Sequence, residues 1–180
     1  MRGGPRLLLT GALTVLGIYA QLLDLHRQSN PAGEHSVLVE RAELGGPLVN
    51  LDRATLQSAA RETGASSELV EGIARIQTSG PSLAALGRSR GMPLIDPEEL
   101  SGHFRTAPSP QVGWSSLLQR FEPAPGVLQY SPVVRSREGD EALVIETFRC
   151  GPECGQSRML LLQEGIEGWT VMAEVPLWVP

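Results

Sequence analysis

Ala142-Leu-Val-Ile-Glu-Thr-Phe148, then Cys150-Gly-Pro-Glu-Cys-Gly155, then Arg158-Met-Leu-Leu-Leu162 is the stretch that decides the fold. The first and third runs are short, apolar and bounded by turn residues, which is how strands read. The Gly- and Pro-containing link between them is too short for anything but a tight reversal. Downstream, Gly165-Ile-Glu-Gly168 is a second turn. After it Trp169, Val171, Ala173, Val175 and Leu177 alternate with Thr170, Met172, Glu174 and Trp178, so Trp169 and Trp178 are expected on opposite faces of a last strand. Upstream, Val127 to Arg135 reads as a strand closed by the turn Glu138-Gly139-Asp140. Short links between successive strands predict an antiparallel β-meander of about four strands over residues 126–180.

The residues before the sheet read as helices. Asp52 caps a helix ending near Gly64. A second starts at Ser66 or Ser67, with Leu69, Val70, Ile73 and Ile76 as its apolar stripe. Gly80-Pro81 ends that unit, a short helical turn is expected over 81–86, and Arg88, Arg90 and Gly91 form a basic loop read as solvated. In Asp96-Pro97-Glu98-Glu99 the Asp caps, the Pro takes the first helical position and Glu99 is placed to reach back as a capping-box partner. His103 then falls near the helix end as a C-terminal cap. Trp114, Leu117, Leu118 and Phe121 make one apolar face of a helix over 112–121, stopped by Pro123 and Pro125. Ser36–Glu40 reads as an edge strand. The class is therefore α+β, with a helical part (51–121) packed on one face of a C-terminal sheet (126–180), all within a single domain over 37–180.

The 180 residues are 41% hydrophobic, enough for one core, and carry a net charge of −5. A surplus of acid excludes a generic nucleic-acid binder. All 15 basic residues are Arg, which removes lysine Schiff bases, lysine general bases and the phosphate-loop lysine. Arg2 and Arg6 precede Leu7–Ala20, which has no charge, and the apolar character runs on to Leu25. Residues 1–25 therefore read as a signal peptide cleaved after Ala20 or as an uncleaved anchor, in which case residues 7–25 are the membrane contact. His26 to Ser36 reads as a polar linker carrying His26 and His35 in solvent. The body would then be extracytoplasmic, either membrane-anchored or secreted.

Cys150 and Cys154 are the only thiols. In an oxidising space the pair is expected to form a disulfide stapling a hairpin tip. A redox pair is the alternative, although Cys-x-x-x-Cys is not the oxidoreductase spacing. Two Cys without nearby His fall short of a metal cage. No Gly-x-Ser-x-Gly elbow, phosphate loop or dinucleotide fingerprint is present, and Asp140-Glu141 reads as a solvated turn pair. No cofactor is called for. The expectation is a non-enzymatic interaction domain with a protein partner, one version placing a subunit-docking surface on residues 51–90. The rival is an extracytoplasmic enzyme or a thiol–disulfide protein using Cys150 and Cys154.

Trp114 and Phe121, Pro125-Gly126, Tyr130-Ser131-Pro132-Val133, Gly139, Ala142-Leu143-Val144, Cys150-Gly151, Cys154-Gly155, Leu161-Leu162, Gly168-Trp169 and Leu177-Trp178-Val179 follow one another in an order that resembles a family of uncharacterised exported bacterial proteins. The resemblance covers about the last 65 residues. Gln156-Ser157 stand where members usually have a further Gly. The resemblance implies export and a C-terminal sheet, and it implies no activity.

Overall fold

A computed structural model describes residues 6–29, 35–48 and 51–178, with side chains from residue 15 onward. The chain runs α1 (Arg6–Ser29), β1 (Val37–Val39), β2 (Arg41–Glu43), α2 (Arg53–Glu62), α3 (Ser67–Ala74), β3 (Ser79–Ser82), α4 (Ala84–Ser89), β4 (Leu94–Ile95), α5 (Pro97–Thr106) and α6 (Pro110–Arg120). It continues as β5 (Val127–Tyr130), β6 (Val134–Arg135), β7 (Glu141–Gly151), β8 (Cys154–Gly165) and β9 (Gly168–Trp178). The α+β class holds. The main sheet has the order β4-β1-β5-β7-β8-β9, with β6 pairing on β7.

The β7-β8-β9 meander is where alternation and turn residues place it. The sheet is larger than a meander of about four strands, because β1 and β4 join it in parallel on the far side of β5. Ser36–Glu40 therefore contains an interior strand, not an edge. Its three residues Val37, Leu38 and Val39 are 0–1% exposed, because helices cover both sheet faces there. A run buried on both faces is apolar without alternation, which is why it could not be told from an edge by pattern. Val127–Arg135 is also two strands, since Pro132 has no N–H to donate to a ladder.

Helices cover both faces, not one. On one face α1 packs Ile18, Tyr19, Leu22 and Leu23 against Leu128, Tyr130, Ala142, Val144, Leu160 and Leu162. On the other, α2 and α3 cover Leu143, Ile145, Met159 and Leu161 with Leu56, Leu69 and Ile73, while α5 and α6 cover Val37, Val39 and Val127 with Leu100, Trp114 and Leu117. Even-numbered residues of β7 and β8 face α1 and odd-numbered ones face α2 and α3, as a period of two requires. The apolar stripe Leu69, Val70, Ile73 and Ile76 is thus buried inside the fold. In β9 the alternation breaks. Val171 pairs with Leu162 but Ala173 with Leu161, so Met172 is an extra residue. The bulge leaves Trp169 and Val171 on the α1 face and turns Ala173 and Val175 to the other.

The N-terminal expectation changes most. Ile18, Tyr19, Leu22 and Leu23 are 0–1% exposed in the core. Cleavage after Ala20 would remove two of them, and a helix that buries them in protein cannot also bury them in lipid. That leaves Leu7–Gly17, about 16 Å of helix against a hydrocarbon core of about 30 Å. The side chains of residues 6–14 lie outside the described residues, and no helix among the described residues is long and apolar enough to cross a membrane. Nor is 26–36 a linker at its start. Residues 26–29 are the last turn of α1 and His26 is buried, while residues 30–34 lie outside the described residues. Arg90, expected in a solvated loop, holds α1 in place. Its guanidinium meets both Asp24 carboxylate oxygens at 2.8 and 3.0 Å and donates to Ala20 O at 3.0 Å.

Candidate functional site

Asp96 accepts from the backbone N–H groups of Glu98 and Glu99 and starts α5 as its sequence predicts. Glu99 does not close a capping box; its carboxylate pairs with Arg120 of α6. His103 is likewise no cap, because α5 runs on to Thr106. Its Nε2 lies 2.8 Å from Gly113 O and 3.2 Å from Ser116 Oγ. A ring nitrogen facing a carbonyl must be the protonated one, so it donates to Gly113 O and has no lone pair for the Ser116 hydroxyl. The pair ties α5 to α6 and is not a nucleophile with its base.

Between α5 and α6 the sequence Ala107-Pro108-Ser109-Pro110 sets the geometry. Pro108 forces Ala107 into extended backbone and ends α5. Ser109 caps α6 by accepting from Val112 N at 3.3 Å, with Pro110 at its first position. The helices approach closely at Gly113, where a Cβ would stand 3.0 Å from the Phe104 ring. Phe104 and Trp114 consequently pack with centroids 5.0 Å apart. This wall faces Pro47 on one side and Arg149 and Pro152 on the other, enclosing a cleft of about 500 Å³.

Arg149 sits at the end of β7, next to the Cys150–Cys154 disulfide, whose Cα atoms are 5.0 Å apart. Its Nη2 donates to Gly151 O and Pro152 O, at 3.3 and 3.0 Å, inside the disulfide loop. Its Nη1 donates to Leu48 O at 3.2 Å, and the Trp178 ring stacks on the guanidinium with 3.9 Å from Cζ to the centroid. Arg149 Nε is buried without a partner. Burial alone lowers its pKa from the usual arginine value, with no carboxylate opposing the shift. Thus Trp169 is core beneath α1, and Trp178 is half-buried as the stacking partner of a cation.

A second polar group lies beneath α1. Glu146 is 2% exposed and accepts from Tyr130 Oη at 2.9 Å and from Arg158 Nε and Nη2 at 3.0 and 2.8 Å. Arg158 reaches on to Glu174 at the surface at 2.7 Å. His26 packs at a tilt against Phe148, and its Nε2 lies 3.4 Å from Ser36 Oγ. Burial lowers its pKa below the ordinary value, and the Glu146 charge opposes this. Glu146 and Glu174 share the Arg158 guanidinium, and Tyr130 completes the inner carboxylate, which reads as a structural network.

Cys150 and Cys154 come together as their spacing predicts. Among the described residues no group of three or more His, Cys, Asp or Glu could hold a metal ion. The cleft combines residues from three separate parts of the chain, Pro47, 104–114 and 149–152, and sequence reasoning missed it. The signals were the Pro-x-Pro link between two helices and an Arg directly before a stapling Cys. No family model, curated protein or solved structure matches this chain.

Proposed function

We propose that this chain is an exported domain that binds a ligand without transforming it, in the cleft between α5–α6 and the disulfide loop. The supporting observation is the construction of that cleft. An apolar floor of Phe104, Trp114 and four prolines carries one fixed cation, Arg149, and one hydroxyl, Ser109, with no His or carboxylate in the lining to activate it. A mostly apolar concavity with a few placed polar groups is how ligand sites are usually made. The disulfide supports the extracytoplasmic placement, because paired thiols persist in oxidising spaces, and the family resemblance points the same way. Residues 7–14, which carry no charge and precede Val15 and Leu16 where α1 first packs on the core, are the membrane contact this reading retains. Native mass spectrometry of the protein purified from its own host is the test. A small molecule that co-purifies and is lost when Ala107→Trp fills the cleft supports it. Ligand-free protein, or ligand retained by the variant, overturns it.

A second reading is thiol–disulfide exchange, favoured by the exposure of Cys154. It predicts turnover of a disulfide substrate with glutathione, abolished by Cys154→Ser. A pair that stays oxidised without exchange removes it.

A further inference from the structure

The geometry points to an amphipathic monocarboxylate, one acid group on an apolar body, as the ligand of the Arg149 cleft. This inference rests on the binding reading above and names its ligand class.

The lining sets the body of the ligand. Phe104, Trp114, Pro110 and Pro152 offer apolar contact, and the only polar side chains are Ser109 and Arg149. Ser109 Oγ accepts from Val112 N as the α6 cap, which leaves a single hydroxyl donor beside the cation. A sugar or nucleotide entering here would leave most of its hydroxyls without partners, at the cost of burying unsatisfied polar groups. The volume, about 500 Å³, suits a small molecule and not a folded partner.

Arg149 sets the head group. Arg90 and Arg158 each close on a carboxylate, and Arg149 forms no ion pair among the described residues. A partly desolvated cation with no carboxylate partner among the described residues is complementary to an anion brought by the ligand. The number of free donors limits which anion. A guanidinium has five N–H groups. Two on Nη2 go to Gly151 O and Pro152 O, one on Nη1 goes to Leu48 O, and the Nε group is sealed from solvent. One Nη1 N–H remains. A single charge-assisted bond serves one oxygen of a monoanion, whereas a phosphate, with more charge and three terminal oxygens, would leave more acceptors unpaired in an apolar cleft. Trp178 on the guanidinium face and the disulfide loop carbonyls fix the cation in place, so little ordering is left for binding to cost.

Octanoate and octanol share an apolar body and differ in the acid group. They are to be titrated into the full chain by calorimetry, with intrinsic tryptophan fluorescence as a second signal, since Trp114 lines the cleft and Trp178 lies on Arg149. Octanoate should bind about tenfold or more tightly than octanol, the range of a hydrogen bond to a charged group. Arg149→Gln should bring the ratio near one. Because that change also cuts ties to Leu48 and the loop, Ala107→Phe serves as a second variant. It keeps Arg149 and should abolish binding of both probes. Equal binding of octanoate and octanol to the unaltered protein overturns the carboxylate class and leaves the cleft as a binding site. Absence of binding by either probe at millimolar concentration, or binding that survives Ala107→Phe, overturns the cleft reading as well.

Discussion

Glu146 shows how much one residue carries here. Its carboxylate is held by Tyr130 and Arg158 in a place where water does not reach. Removing it leaves a half-buried guanidinium without its inner partner, so Glu146→Ala should lower stability by about 3 kcal/mol. Glu174→Gln, at the exposed end of the same chain of charges, should cost less than about 1 kcal/mol. Urea unfolding at pH 7 separates the two. His26 adds a pH dependence. Its folded pKa is depressed by burial, so the unfolded chain binds the extra proton first as pH falls. The stability gained from keeping His26 neutral is present above about pH 6.5, the unfolded value, and is lost as pH drops towards the folded one. Urea midpoints from pH 8 to 5 should fall in that window, and His26→Gln should flatten the fall. Nothing in the local sequence marks His26 as buried: it stands before Arg27, Gln28 and Ser29, which read as polar.

At the scale of the element, the hairpins were legible because turn chemistry is local. Gly165 to Gly168, Glu138-Gly139-Asp140 and the Cys150–Cys154 link all lie where the strands reverse. Gly155 is the position with the least freedom to change. Its φ of +139° is open to glycine, and a Cβ there would run into Phe148 O and the Arg149 backbone. Gly155→Ala should therefore cost more than about 1 kcal/mol and loosen the disulfide loop that holds Arg149. Thermal unfolding reads the first, and a weakened octanoate titration reads the second. The bulge at Met172 was not legible, because alternation in Trp169–Leu177 is unbroken in the sequence. Only the competition between two packed faces forces the extra residue out. The helix caps Asp52 and Asp96 were legible for the opposite reason, since a cap bonds within three residues of itself.

For the whole molecule, the decisive contact is between the two ends of the chain. Gln21 of α1 accepts from Trp169 N in β9 at 2.8 Å, and Tyr19 donates to Ser131 O at 2.8 Å. Ile18, Leu22 and Leu23 each contribute about 1.5–3 kcal/mol by burial. A chain starting at residue 21 should therefore lose cooperative unfolding and become sensitive to limited proteolysis, whereas one starting at residue 15 should melt close to the full chain. Equal melting of the two would show that α1 is dispensable. The sequence by itself determined what depends on neighbours a few residues apart: the α+β class, the four-strand antiparallel run β5-β7-β8-β9, the caps of α2 and α5 and the pairing of the only two thiols. Tertiary structure alone decided where an apolar run of residues 15–25 is buried, since hydrophobicity specifies removal from water but not whether lipid or protein replaces it. It also decided the parallel addition of β1 and β4 and the assembly of the Arg149 cleft, because both join segments separated by tens to a hundred residues, and contacts at that range leave no periodic trace in the chain.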